Sequence, residues 1–174
     1  PILCFTADEI WLSMPHRDGD DPEAVLFNDR NKPFTAYALS ETDMLRWGVL
    51  TQLRDGVNAA LETARASKKI GKALEAAVTL VKDPNAETDN LAETEKHFTP
   101  EQLADLFIVS AVEISGAPDL YAQGADTPLS GVRVVTGNAD GAKCARCWKQ
   151  LATVGSQPDH PTLCPRCAGV VRKL

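Results

Sequence analysis

The chain has 174 residues, 44% apolar and 24% charged, with a net charge of −6, which suits one ordinary domain with a small appendage or two small domains sharing an interface. No apolar run approaches the roughly 20 residues of a membrane span, no basic-then-apolar leader opens the chain, and the acidity argues against indiscriminate nucleic-acid binding. The average hides an asymmetry: from 133 to 174 there are seven Lys and Arg against two acids, an excess of five, so the other 132 residues carry −11. A polyanion would be met at the C-terminal end.

The chain opens on Pro1 without an initiator Met and reads as a piece of a longer polypeptide, whose active centre would lie on the remainder. Thr6 and Glu9, before Ile10, Trp11 and Leu12, have the form of a capping box, and Pro15 predicts a stop after barely two turns. Residues 16–33 are acidic and rich in breakers, a surface loop with one short apolar segment, Val25 to Phe27. Cys4 sits in an apolar run and is expected to be a buried thiol.

A long helix is predicted from Glu41 to Ser67, where Leu45, Val49 or Leu50, Leu53, Val57, Ala60 or Leu61 and Ala64 recur at helical spacing. Its apolar face is expected against the short helix of Trp11, and Gly71 is the expected stop. Leu74 to Val81 alternates as a half-buried strand. In FTPEQLADLF, Thr99, Pro100 and Gln102 fit N-cap, first helical position and capping-box partner. Phe107 to Ile114 and Gly131 to Gly137 read as further strands, separated by a Gly/Pro-rich interval. A helical part thus precedes a small mixed α/β part, and the cysteines come last.

Cys144 and Cys147, then Cys164 and Cys167, form two Cys-x-x-Cys knuckles sixteen residues apart. Each knuckle points two sulfurs at one centre, and tetrahedral zinc needs four. Iron uses similar knuckles, a redox motif needs only one, and disulfides within each pair would be strained. Lys143, Arg146, Lys149 and Arg166 beside the knuckles can offset the charge of a zinc tetrathiolate or reach phosphates. Trp148 is expected to pack over the metal site, with a base-stacking role as the alternative. His160 reads as a loop residue, and His16 and His97 carry no assigned chemistry.

The run Cys144-Ala-Arg146-Cys147-Trp148, with His160 to Cys167, resembles the zinc-binding C-terminus of bacterial isoleucyl-tRNA synthetases, class I aminoacyl-tRNA synthetases. Two upstream stretches, PILCFTADEIW and ARASKKIGKALEAAV, are similar to segments of the same family in the same order. The resemblance implies an α+β fold in three parts. Residues 1–70 would be the C-terminal part of a helical anticodon-binding domain, 71–138 a small α/β junction domain, and 139–174 a zinc ribbon. The whole enzyme would be a cytoplasmic monomer using ATP and Mg2+ to join isoleucine to its tRNA. The family's HIGH and KMSKS signatures and its editing domain are absent here, so this part would contain no catalytic residue and would hold the anticodon limb of isoleucine tRNA beside the catalytic and editing domains of the same polypeptide. Candidate RNA contacts are Lys143, Arg146, Trp148, Lys149, Arg166, Arg172 and Lys173, with Arg65, Lys68, Lys69 and Lys72 as a second basic cluster; the metal ligands would be the four knuckle cysteines, holding one structural Zn2+.

Two other readings compete. Formamidopyrimidine-type DNA glycosylases end in a similar ribbon and use an N-terminal proline as nucleophile, but their proline is followed by a catalytic acid and Pro1 is followed by Ile2. A helical scaffold using its ribbon to bind another protein is the third.

Overall fold

The computed structural model describes residues 3–29, 32 and 34–173; Pro1 and Ile2, on which the nucleophile reading turns, lie outside them. The chain forms two compact units, 1–39 and 40–174.

In the first unit, helix α1 spans Cys4–Leu12 and is followed by a single 3₁₀ turn at Val25–Phe27 and another at Thr35–Tyr37. The capping box expected at Thr6 does not form. The helix begins three residues earlier, with Leu3 at its N-cap and no side-chain cap, so Thr6 already lies inside the first turn. Ser13 closes α1 ahead of Pro15, as Pro15 requires. The loop is tied back by polar bonds: the Trp11 Nε1–H donates to Asp21 O (2.9 Å), the Val25 N–H to Asp8 Oδ1 (2.8 Å), and the Asn28 amide to Asp21 O and Ala24 O (both 3.0 Å). Cys4 is exposed rather than buried, because α1 buries none of its residues within the structure.

The second unit is built on helix α2 (Glu41–Ala66), capped by the Ser40 hydroxyl accepting from the Asp43 N–H. Its buried positions are Leu50, Leu53, Gly56, Val57, Ala60, Leu61 and Ala64, the predicted stripe less its first member. Leu45 is 74% exposed, since the core begins more than a turn further on. That face packs inside the 40–174 unit, on the sheet and on the helix of Leu103 and Phe107, where the sequence had pointed to the helix of Trp11. The helix is stopped by Lys68 in the left-handed region (φ 57°), not by Gly71. The Lys69 N–H then reaches back to Ala64 O (2.9 Å), so a lysine meets a demand that usually falls to glycine.

The sheet contains β1 (Ala76–Lys82), β2 (Ala111–Ser115), β3 (Ala125–Asp126) and β4 (Val132–Asn138), in the order β2-β1-β4-β3. Strand β1 pairs in parallel with β2 and antiparallel with β4. A parallel pair needs a crossover, which helices α3 (Ala92–His97) and α4 (Pro100–Phe107) supply. The capping box at α4 forms as expected: the Gln102 N–H donates to Thr99 Oγ1 (3.3 Å) and the Thr99 N–H to Gln102 Oε1 (2.9 Å). Phe107, expected in a strand, instead closes α4 and is buried with Leu103 and Ala104. Ile108 turns the chain at φ 58°, ψ 46°, and the strand starts only at Ala111. Helix spacing from Leu103 to Phe107 thus outweighs the strand preference of the following β-branched residues. Helix α5 (Pro118–Gln123) lies in the interval read as Gly/Pro-rich, and α3 lies where no element was predicted.

The core of this unit joins Leu50, Leu53, Val57 and Leu61 of α2 with Val78 and Leu80 of β1, Leu103 and Phe107 of α4, and Val132 and Val134 of β4. The C-terminal ribbon follows: β5 (Ala142–Lys143) and β6 (Gln150–Leu151) pair antiparallel, and helix α6 runs Pro165–Val171. Its buried cysteines form a second, separate cluster.

Candidate metal centre and its cationic surroundings

Each knuckle is made by a local backbone device. The first lies in the β5–β6 turn, where the Cys144 N–H donates to Lys149 O and the Trp148 N–H to Cys144 O (both 2.9 Å), with Trp148 at φ 65°. The second begins at the N-cap of α6, with Pro165 in the first helical position, so that Cys167 comes round on the first turn. The Ala145 N–H bonds Thr162 O (3.0 Å) and holds the two knuckles together.

The four cysteine sulfurs lie within 4.8 Å of one another. Metal–sulfur bonds of about 2.3 Å in a tetrahedron place sulfurs about 3.8 Å apart, and Cys147 Sγ stands 3.9 Å from Cys164 Sγ. Cys144, Cys164 and Cys167 are buried, with Leu151, Val154 and Leu163 packed around them. Burial opposes ionisation at each shifted thiol, but at Cys144 the N–H groups of Cys147, Cys164 and Arg146 outweigh it and bring the pKa down to about 6. At Cys147 burial and the neighbouring sulfurs push the thiol up to about 12, and Cys164 is raised, burial again the largest cause. The Cys144 thiolate is thus favoured and those of Cys147 and Cys164 are opposed. Four crowded thiolates need a cation among them, and these residues fit a divalent metal.

The predicted cations part company here. The Lys149 ammonium is turned away from solvent, its side chain only 14% exposed, onto Asp105 Oδ1 (2.6 Å). Arg166 reaches the other Asp105 oxygen at 3.6 Å but stays 67% exposed. Arg146 Nη1 faces Cys167 Sγ at 3.9 Å, a donor toward the sulfur cluster. Arg172 is held by Asp159 and Gln157 (Nε to Asp159 Oδ2, 2.7 Å; Nη2 to Gln157 Oε1, 2.7 Å), and Lys173 is exposed. In the second cluster Arg65 pairs with Glu62, Lys69 Nζ donates to Thr136 O, and Lys68 and Lys72 are exposed. The N–H groups of Lys72 and Gly71, and then the charges of Lys72 and Lys143, hold the Glu75 carboxyl below its usual range.

Trp148 does not cover the sulfurs. The residue is 60% exposed and the Lys143 ammonium lies 5.7 Å from the ring centroid, with the backbone of Trp148 in the left-handed turn that closes the knuckle. His160 stands outside the sulfur cluster, 3.8 Å from Asp159 Oδ2. Sequence reasoning passed over Asp105, Ser110 and Asp159. Asp105 and Ser110 meet ribbon residues 44 and 40 positions away, a separation that leaves no local signal.

Residues 141–169 match a family model described as a zinc finger found in FPG and IleRS. With the four-sulfur cluster, this makes the ribbon a site for one structural zinc. Over 174 residues, 99% of the chain, it is 37% identical to the isoleucine–tRNA ligase of Geobacter sulfurreducens. It is 38% identical over 173 residues to that of Geobacillus kaustophilus and over 184 residues to that of Moorella thermoacetica, with 99% and 100% of the chain covered. The chain spans only 17–18% of the length of these relatives.

Proposed function

We propose that this chain, related along its whole length to isoleucine–tRNA ligases, is the C-terminal part of such a ligase and holds the anticodon limb of isoleucine tRNA. Aminoacylation with ATP and Mg2+ belongs to the rest of the polypeptide. Cys144, Cys147, Cys164 and Cys167 ligate the zinc, which contributes folding energy rather than chemistry.

The observation that carries the RNA reading is Trp148: an exposed indole on a rigid left-handed turn, with Lys143 over its ring. Single-stranded loops are held by stacking of unpaired bases on such faces, with cations fixing the backbone. Lys143, Arg146, Arg166, Lys173, Lys68 and Lys72 are exposed to serve. Lys149 is engaged with Asp105 of α4 and Arg172 with Asp159 of the ribbon, so both act on the protein's own structure first. The zinc-finger model shared with FPG matches 141–169, whereas the ligase likeness runs the length of the chain.

The test is retention of isoleucine tRNA and of duplex DNA by the zinc-loaded chain at two salt concentrations. Binding of tRNA alone is expected, with log K falling against log salt by about 0.7 per phosphate engaged. Equal retention of duplex DNA, or of neither, defeats the proposal; the second result favours a protein-binding scaffold.

A further inference from the structure

The ribbon and the α/β body have separate cores. Cys144, Cys164 and Cys167 and their neighbours form one buried cluster, and the residues of α2, α4 and the sheet form another. Between them lies a cavity of about 500 Å³, lined on one side by Ala104 and Val112 and on the other by Cys147, Leu151 and Cys164. Apolar contact across a gap of this size does not fix an orientation, because dispersion falls away within an ångström or so of contact distance. The chain running from β4 into β5 is one tether, pinned at its start by a hydrogen bond from the Ala139 N–H to Glu75 O (2.8 Å).

Two side chains at the end of α4 and the start of β2 span the gap. Asp105 takes Lys149 on one carboxylate oxygen (2.6 Å) and faces Arg166 with the other (3.6 Å), so a single group touches a residue following the first knuckle and a residue inside the second. The buried Ser110 hydroxyl accepts from the Gln150 N–H (2.7 Å) and donates to Leu74 O (2.6 Å). Lys149 and Gln150 are consecutive, so the two bonds fix both position and rotation of the β5–β6 hairpin. We propose that Asp105 and Ser110 are positioning residues that clasp the zinc ribbon in one orientation on the α/β body.

The Lys149 hydrogen bond also holds the Asp105 carboxyl below the usual range, as expected of a carboxylate engaged in the clasp. Withdrawing Lys149 leaves Lys143, Arg146, Arg166 and Lys173 as exposed cations of the ribbon, at angles set by the clasp. This last consequence rests on the RNA reading above; the clasp itself does not.

The experiment compares residual dipolar couplings of ribbon amides (142–151) and body amides (76–82 and 132–138) in the zinc-loaded chain. One alignment tensor is expected to fit both sets in the parent. In Asp105→Asn, an exposed change that spares the core, the ribbon set is expected to need its own, smaller tensor, with zinc held at one per chain and body shifts unmoved. Asp105→Glu, which keeps the carboxylate, should restore the shared tensor, and Ser110→Ala should loosen the ribbon further. A shared tensor retained in Asp105→Asn and Ser110→Ala overturns the clasp. Weaker tRNA binding by Asp105→Asn is the expected consequence; a loosened ribbon with unchanged tRNA affinity removes only the RNA consequence.

Discussion

Asp159 and Arg172 make the clearest single ion pair of the ribbon, with Arg172 Nη2 on Asp159 Oδ1 at 2.5 Å and Nε on Oδ2 at 2.7 Å. The Arg172 hydrogen bond brings the Asp159 pKa down to about 2. A carboxyl whose folded pKa is depressed adds stability above its unfolded value near 3.9 and loses it as pH falls toward the folded one. The pair should therefore hold the Asp159 loop on α6 at neutral pH and release it between about pH 4 and 2. A carboxyl NMR titration should show Arg172→Ala returning Asp159 to the ordinary range. Gly141 carries a different kind of constraint: its φ is 95°, and a Cβ there would lie 2.2 Å from Leu151 C and 2.3 Å from Ala152 N. Gly141→Ala should cost the ribbon about 1–3 kcal/mol or shift the hairpin, read as a lower midpoint in denaturant with zinc present.

At the scale of the element, α4 is the helix whose start the sequence announces most fully. Thr99, Pro100 and Gln102 each do in the structure what their positions suggest. Thr99→Ala should cost about 1 kcal/mol, measured as a reduced unfolding free energy with unchanged zinc content. The other end of α4 was not legible, because Phe107 to Ile114 is apolar enough for a strand and only burial beside Leu103 keeps Phe107 helical. Helix α2 teaches the same distinction. Its stripe was readable from spacing, but Gly56 is buried because Thr127 crosses it: a Cβ would meet the Thr127 Cβ and Cγ2 at 2.6 Å. Nothing in the helix period marks that crossing.

For the molecule as a whole, two cores imply two modes of loss. The ribbon's core is mostly sulfur and calls for the metal, while the sheet and its helices have an aliphatic core of their own. Chelation should therefore collapse the amide signals of 141–171 and leave those of β1, β4 and α2 dispersed. Simultaneous loss of both would show the two cores to be one cooperative unit. No helix among the described residues is long and apolar enough to cross a membrane.

The sequence by itself determined what short-range chemistry can encode: the two knuckles, the capping box at Thr99, the helical stripe of α2, and the basic character of the C-terminal end. These depend on residues a few positions apart or on charge alone. Tertiary structure decided which surface α2 covers, whether Trp148 faces metal or solvent, and which lysine is spent inside the protein. Lys149 and Lys143 look alike in sequence, yet one is held by Asp105 and the other lies over an exposed indole. That difference arises from pairings across 44 residues of chain, a separation at which neither period nor propensity carries information.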